Sequence, residues 1–545
     1  MSVAVKTSPA LYGSDPALLS PIATRLLARG WLKWAITLSA SFGALLEVID
    51  TNITNVALPN IRGNLGATLS EAGWVSTAYA CANVVIIPLS AWLGMRFGKK
   101  NYFVFSLVSF TIASVLCGWA PNLNFLIFAR VLQGIAGGGL LAKAQSMVFE
   151  AFAPAERGAA QAIFGLGVIA GPAIGPVLGG WLTDTLNWRW IFFINIPFGM
   201  FAMLACHTFL PADEPDKLDK TGRVDWTGIG LLAVGLATFQ VMLEQGQEDD
   251  WFSSRFITSM AVTSLIGVIA FVWWELSVES PAVDLRVLRH RSMVGGSLYS
   301  AIFGMGLYGI TFAVPIFVQD YLHYTAEQSG LLQVPGAIAS GVAMFTFGAV
   351  SKRFDPRTLI AMGALLTTGT GMLLAQINPD TGVATIFWPL ILRSIGSVMI
   401  FLPLSIATLG PLPTKDIAGG SGIYSLTRQL GSSIGIALIT TMLDRRESLH
   451  RAILVEKVNV FRTAAVTRID ALASLFPNRA ADPIGANHHA LGIIDHLVNS
   501  QASLLAYADL FSYVAITFVV TLPLILLLGG KQDKKASEAA AAAAH

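Results

Sequence analysis

The sequence predicts an all-α polytopic membrane protein with fourteen transmembrane helices, arranged as two pseudo-symmetric six-helix halves plus two inserted helices. Three observations lead there. The 545 residues are 54% hydrophobic and only 12% charged, with a mean hydropathy of +0.63, whereas a soluble chain carries about 25% charged residues. Apolar blocks recur along the whole chain, each near the ~20 residues a helix needs to cross a bilayer. The end of the second span of one half also repeats in the other.

Taken in order, residues 1–33 form a cytoplasmic segment without a short apolar core and small-residue cleavage site, so the first span serves as the insertion signal. Spans at 34–58, 73–94, 102–120, 123–149, 158–182 and 191–211 make the first half, 34–211. Spans at 226–243 and 256–275 are the inserted pair, within 226–275. Spans at 295–320, 329–350, 358–376, 383–409, 418–442 and 507–529 make the second half, 295–529, which includes a long outside segment at 443–506. Residues 530–545 are a cytoplasmic tail whose end, Ala539–His545, reads as a linker and the start of a tag.

Charge sets the orientation. With the N-terminus inside, the inner segments hold Lys6, Arg25, Arg29, Lys33, Arg96, Lys99, Lys100, Arg157, Lys217, Lys220, Arg223, Arg286, Arg289, Arg291, Lys352, Arg353, Arg357, Lys415, Lys531, Lys534 and Lys535. The short outer loops hold only Arg62, Arg189 and Arg255. This is the positive-inside bias, and it places both termini in the cytoplasm.

The internal repeat is read from two loops and two arginines. Span 2 ends in Ala91-Trp92-Leu93-Gly94-Met95-Arg96-Phe97-Gly98-Lys99-Lys100, and span 10 ends in Gly348-Ala349-Val350-Ser351-Lys352-Arg353-Phe354. Arg353 follows Arg96 by 257 positions, and Arg393 of span 12 follows Arg130 of span 4 by 263. Two six-helix halves around a central cavity, with a site near the midplane, is a transporter architecture.

The candidate chemistry begins with two acids in the first span, in Leu45-Leu46-Glu47-Val48-Ile49-Asp50-Thr51-Asn52-Ile53-Thr54-Asn55. Glu47 and Asp50 share a helix face, and with Asn52 and Asn55 they make this helix too polar to face lipid. Two carboxylates this close do not both hold a full charge cheaply, so at least one is expected to trade its proton easily. The alternative is a structural carboxylate bonded to a neighbouring helix. Span 4 offers a partner in Arg130, which keeps its proton and therefore needs a carboxylate or a polar cavity. Gln133 lies one turn on, and a static ion pair is the alternative here. Of the other intramembrane cations, Lys143 is expected to snorkel to the cytoplasmic end, and Arg393 and Arg428 to brace the second half. Span 5 carries Gly171, Pro172, Gly175, Pro176 and Gly179. Its glycines at spacings of four give a flat packing face, and its prolines favour bending. Together they suggest a hinge or seal between the halves.

These residues resemble the major facilitator superfamily, in its fourteen-helix drug:proton antiporter branch (the EmrB/QacA type). Asp50 through Pro59, Leu126 through Gly138, Ala170 to Gly180, Trp188 through Pro197, and Leu243 through Gln247 with Trp251 carry the resemblance, which covers roughly residues 34–530. It implies the major facilitator fold and a bacterial inner membrane location. It also implies that some members dock a periplasmic adaptor protein leading to an outer-membrane channel. One departure matters. The loop after span 2 has Ala91 and Met95 where the superfamily usually has Gly and Asp, so the loop lacks the acid that a latch there would use, although its cations at helix C-termini can still act.

Other classes are disfavoured. No basic domain stands apart to bind nucleic acid. The loop Gly94–Lys100 is one residue short of a phosphate-binding loop and lacks the following Ser/Thr, so no ATP cofactor is expected and an ion gradient must power transport; the resemblance makes that ion the proton. Cys81, Cys117 and Cys206 fall in apolar blocks and read as packing residues. His488 and His489, with Asp482, read as a solvated loop rather than a metal site. Within the long outside segment, Ser448 to Phe476 has helical periodicity and is expected to form an amphipathic helix.

The reading is a proton-coupled exporter of small amphipathic molecules, not an enzyme. Asp50, Glu47 and Arg130 are its proton-coupling residues, and Asn52, Asn55, Gln133 and Gln319 line its substrate cavity. Arg96, Gly98, Lys99, Gly171, Pro172, Gly175, Pro176 and Gly179 gate and hinge it. The alternatives are a proton symporter importing a small solute, and a membrane-embedded sensor or enzyme.

Overall fold

Backbone surrounded by lipid must satisfy each peptide group within its own segment, which helices do. In the computed structural model, which describes residues 15–214, 224–350, 354–476 and 483–528, all regular structure is helical. Lys217, Lys220, Arg223, Lys352, Arg353, Asp482, Lys531, Lys534, Lys535 and the terminal Ala539–His545 lie outside the described residues.

A short α1 (Pro21–Ala28) precedes α2 (Leu32–Leu65), α3 (Leu69–Phe97), α4 (Lys99–Gly118), α5 (Leu123–Gly137), α6 (Leu140–Ala151), α7 (Arg157–Thr185), α8 (Trp190–Phe193) and α9 (Asn195–Phe209). Next come α10 (Trp226–Gln245) and α11 (Arg255–Ser277). The remainder is α12 (Arg291–Asp320), α13 (Ala326–Val350), α14 (Pro356–Leu374), α15 (Val383–Leu409), α16 (Thr414–Val455), α17 (Thr463–Ala473) and α18 (Pro483–Val520). Local chemistry sets several starts. Thr68 and Glu71 form a reciprocal capping box at α3, and Asn122, Asp225 and Asp355 cap α5, α10 and α14.

Among the described residues, thirteen helices are long and apolar enough to span a membrane, with α5 and α6, α8 and α9, and α18 and the 3-10 turn after it each counting as one. The fourteenth expected span, 418–442, lies within α16, whose buried Ser421, Ser425, Arg428, Ser432 and Ser433 make it more polar than the rest. α16 is the interior helix, packed on α12, α18, α3 and α6. Two expected spans form as helix pairs that cross as one: Gly138-Gly139 lie between α5 and α6, and Ile194 lies between α8 and α9, all with helical dihedrals. Pro523 lies in the 3-10 turn Leu522–Leu527 that follows α18, so the last turns of the expected final span, 507–529, are 3-10 rather than α.

The segment 443–506 is mostly helical. α16 runs on to Val455 and α18 starts at Pro483, and the two are tied by Arg451 to Asp495 (2.9 Å) and Asn499 (2.6 Å), and by His450 to Asp509 (2.8 Å). The expected amphipathic helix over 448–476 forms as two pieces, with a break at residues 456–462 before α17. Its apolar periodicity is real, but Ala473 and the partly buried Ile469, Leu472 and Phe476 bury themselves against Ala486 and Ala490 of α18.

The halves meet where α7 packs on α13 and α15, and where α16 packs on α3 and α6. At the Arg/Lys-rich end the seam is tight. A Cβ on Gly348 would stand 2.9 Å from Ala162 Cβ, and Arg157 Nη1 donates to Gly410 O at 3.1 Å. α10 lies along the seam and touches both halves. Its Gln240 Nε2 donates to Ser433 Oγ at 2.7 Å, and Gln245 Nε2 to Thr77 Oγ1 at 3.0 Å. α11 packs behind α10 and exposes Leu265, Ile266, Ile269 and Trp273, as a lipid-facing helix should.

α12 and α16 cross closely because small residues meet there. A Cβ on Gly435 would stand 2.6 Å from Met305 Cα, and Gly304 lies against the Arg428 carbonyl. Gly435→Val should therefore cost roughly 1–3 kcal/mol, seen as a lowered unfolding midpoint of the detergent-purified protein. An unchanged midpoint would show that the crossing tolerates a side chain.

Candidate functional site

A permanent cation inside an apolar bundle needs an anion, and the fold supplies one. Arg130 of α5 and Asp50 of α2 are 1% and 0% exposed. Arg130 Nη1 donates to Asp50 Oδ2 at 2.6 Å and to Gln133 Oε1 at 2.7 Å, and its Nε donates to the Val75 carbonyl of α3 at 3.1 Å. Its guanidinium lies 4.1 Å from the Tyr79 ring centroid. The second carboxylate oxygen, Asp50 Oδ1, accepts from Gln133 Nε2 at 2.8 Å and from Asn195 Nδ2 at 2.6 Å. Ser114 Oγ of α4 accepts from the same two amides, at 2.8 and 3.2 Å. Side chains of α5 and α9 thus converge on one carboxylate of α2, and Ser114 of α4 braces the two amides.

Of the residues singled out from sequence, Asp50, Arg130 and Gln133 are brought together. Asn195 and Ser114 were missed. Asn195 is a lone amide in the apolar run Ile191–Pro197, a signal that could have found it, whereas Ser114 gives none. Glu47 points elsewhere. Its Oε1 accepts from Asn83 Nδ2 at 2.9 Å and its Oε2 from the Leu141 amide at 3.0 Å, which ties α2 to α3 and α6. Arg428 of α16 lies within electrostatic reach of Glu47 from the other half, and its Nη1 and Nη2 find no protein acceptor. Asn52 donates to the Val48 carbonyl at 2.7 Å and packs on Gly175, so it faces α7. Asn55 is exposed and accepts from Ser76 Oγ at 2.9 Å. Gln319 is half-buried one residue from the end of α12, apart from this network.

Gly171, Gly175 and Gly179 of α7 pack within the first half rather than between the halves, whereas Gly165 meets Met344 and Phe401 of the second half. Cβ atoms on Gly175 and Gly179 would stand 2.7 Å from Asn52 Cβ and 2.9 Å from Ile53 Cγ1, and Gly171 lies on Val48, all on α2. The glycine face fits the helix that carries Asp50. Contact with the other half is made by the opposite side, where Val177 meets Gly330 and Leu166 meets Gly341. α7 continues unbroken through Pro172 and Pro176.

In the loop after α3, Gly98 adopts a φ of 94° that favours glycine, and a side chain there would run into Asp213. The Asp213 carboxylate accepts from the Lys100 and Asn101 amides at 3.1 and 3.0 Å and caps α4. Lys100 Nζ donates to the Leu210 carbonyl at the end of α9 at 2.9 Å, and Lys99 pairs with Glu150. Arg96 is half-buried and Met95 is exposed. Thus an acid from after α9 stands at this loop, where the sequence lacks one. Lys143 does not snorkel out. It is 1% exposed, lies against Gly94, and its Nζ has no protein acceptor.

Two cavities lie in or beside the second half. One is enclosed, about 20 Å³, between α7, α12, α13 and α15, and holds Arg393. The other is open, about 220 Å³, between α12, α16 and α18, with Asp444 and Glu447 on its wall. Burial, with Asp444 and Asp320 nearby, raises the pKa of Glu447.

The buried pair makes a stability prediction. Arg130→Gln leaves Asp50 without its cation and should cost about 3–5 kcal/mol, while adding Asp50→Asn should recover a large part of that loss. Thermal unfolding of the two single variants and the double variant checks it; additive losses would mean that the pair is not coupled.

Residues 40–436 match the sequence profile of the Major Facilitator Superfamily. The chain is 33% identical over 491 residues to the multidrug export protein EmrB of Escherichia coli (strain K12), covering 90% of this chain and 94% of that protein. It is 32% identical over 496 residues to the fatty acid resistance protein FarB of Neisseria gonorrhoeae, covering 91% and 96%. The crystal structure of the human organic anion transporter MFSD10 superposes with a TM-score of 0.55 at 13% identity, over 89% of this chain and 99% of that one, a likeness of fold alone. The chain belongs to the major facilitator superfamily, in the branch that holds the EmrB multidrug export proteins.

Proposed function

We propose that the protein is a proton-coupled exporter of amphipathic compounds, working by alternating access in a bacterial inner membrane with both termini in the cytoplasm. The observation that carries this reading is the Asp50 carboxylate, wholly buried and shared by Arg130, Gln133 and Asn195 of two other helices. A proton on Asp50 removes the ion pair and turns an acceptor of three hydrogen bonds into a partial donor. Arg130 then loses its anion, and the packing of α2 against α5 and α9 changes. That is a two-state element which a proton biases. Asp50 is enclosed in this conformation, so the proton reaches it when the halves rock apart.

The substrate classes in the relatives' names, drugs and fatty acids, support an amphipathic cargo. One proton driven through 100 mV supplies about 2.3 kcal/mol, and each pH unit about 1.4 kcal/mol. Since 1.4 kcal/mol corresponds to a factor of about ten, either contribution sustains at least a tenfold outward gradient. Glu47 is a second acid on the same helix, closer to the second half through Arg428. The ties of Lys99, Lys100 and Asp213 would hold the cytoplasmic gate, and α7 would carry α2 with it when the halves move.

The test is flux of a fluorescent amphiphile in proteoliposomes under an imposed pH gradient. Asp50→Asn should lower gradient-driven export at least tenfold per folded molecule, beyond the loss of folded protein caused by stranding Arg130, which also lowers the unfolding midpoint. Undiminished proton-coupled export in that variant would remove Asp50 from the mechanism. Cargo moving in the same direction as the protons would make the protein an importer.

A further inference from the structure

An interior cation of the second half sits opposite an acid of the first without touching it. Arg428 of α16 is 2% exposed, and its Nη1 and Nη2 find no protein acceptor. Its guanidinium lies beside rings instead, 5.6 Å from the Phe401 centroid and 5.9 Å from that of Tyr424. Glu47 of α2 is 7% exposed, and each of its oxygens accepts from one neutral donor, Asn83 Nδ2 or the Leu141 amide. A carboxylate oxygen has room for a second donor, so Glu47 is bonded but its charge is not matched by a cation in contact.

The packing sets these two charges against each other. α16 packs on α3 and α6, the helices that supply Glu47 with its two donors, and a Cβ on Gly422 of α16 would stand 3.3 Å from the Ile87 carbonyl of α3. The depths agree as well. α2 begins at Leu32 and α16 at Thr414, both at the Arg/Lys-rich end. Glu47 and Arg428 therefore each lie roughly 21–22 Å along their helices. The positive charge of Arg428 reaches Glu47, and Tyr308 of α12 stands in the field of both. The other titratable groups facing Glu47 are Asp50 of its own helix, paired with Arg130, and the hydroxyls of Tyr79 on α3 and Tyr102 on α4. Lys143 of α6 answers to Glu150 and Asp213 instead, and α7 and α9 bring Glu47 no charge.

We propose that Glu47 and Arg428 form a charge latch between the halves: their attraction keeps the Arg/Lys-rich side shut, and a proton on Glu47 releases it. The proposal rests on the exporter reading and deepens it. A buried guanidinium without direct acceptors is costly to keep, and a charged acid within reach offsets part of that cost. Once Glu47 is neutral, water becomes the better surrounding for Arg428, and water reaches it when α16 draws away from α3 and α6. A proton taken up outside thus turns the protein toward the cytoplasm, and its loss there closes that side again around new cargo. Asp50 reorganises the first half, and Arg428 is the positioning residue through which a proton on α2 acts on the second.

The test uses the full chain with Cys81, Cys117 and Cys206 changed to alanine and spin labels at Met95→Cys and Phe354→Cys, exposed sites at the Arg/Lys-rich ends of opposite halves. The distance between the labels reports that side as closed or open. The labelled parent should open as the pH falls, with a smaller shift in Glu47→Gln and in Arg428→Met. Glu47→Gln should lower the closed population at least fivefold in the parent, and less than twofold once Arg428→Met is present. Should Arg428→Met not fold, Arg428→Gln makes the same comparison. Arg428→Lys keeps the charge and should keep the full response to Glu47→Gln, which an arginine that merely fills space would not require. An unchanged closed population in Glu47→Gln, or equal effects of Glu47→Gln with and without Arg428, overturns the proposal. Flux of a fluorescent amphiphile in proteoliposomes separates the latch from the exporter reading. Proton-driven export while the two variants act independently sinks the latch alone, whereas coupled variants with no proton-driven flux sink the exporter reading and leave the latch.

Discussion

A carboxylate with no access to water must be given enough donors to replace it, and the first half is organised around that requirement. Asp50 draws Arg130, Gln133 and Asn195 inward from α5 and α9, and Ser114 of α4 holds the two amides in position. Each of these helices is otherwise apolar and has no reason to prefer one rotation about its axis over another in lipid. The shared carboxylate fixes all of them at once. In a bilayer, where apolar contact discriminates weakly between helix faces, such a polar node gives the bundle its registration.

The close packing around the node serves the same end. The glycines of α7 let that helix lie flush on α2, so the node and the helix that meets the second half are joined as one body. At the Arg/Lys-rich end, Asp213 caps α4 and Lys100 donates to the Leu210 carbonyl that caps α9. That arrangement stabilises a helix N-terminus and a helix C-terminus with opposite charges. It needs no acid at Met95, and so accounts for how the loop is held despite its departure from the usual pattern.

Much of this was legible in the sequence. Fourteen apolar blocks and the repeated arginines gave the architecture, because span length and buried charge are both strongly constrained. The Asp50–Arg130 pair was legible because an arginine in an apolar helix has few tolerable partners. Asn195 was not, since an amide inside Ile191–Pro197 looks like any packing residue until its partners are known. The glycine face of α7 was visible, but its partner was not, because small residues mark a close approach without saying to what. The segment 443–506 looked like a loop because its charges lower its hydropathy. Charges that pair along two adjacent helices, as Arg451 does with Asp495, extend α16 and α18 beyond the apolar blocks instead of ending them. Arg393 and Arg428 read as braces from sequence, yet in the structure both keep guanidinium nitrogens without protein acceptors.

The strap formed by α10 has a mechanical consequence. Gln240 holds Ser433 of one half and Gln245 holds Thr77 of the other, at bonding distances of 2.7 and 3.0 Å. Bonds of that length do not stretch by several ångströms. Any rotation of one half against the other must therefore leave the line through α10 nearly stationary, with its largest travel on the far flank, or else break one of these two amide contacts on every turnover. The extra helix pair thus behaves as the spine of a book, and the two halves as its covers.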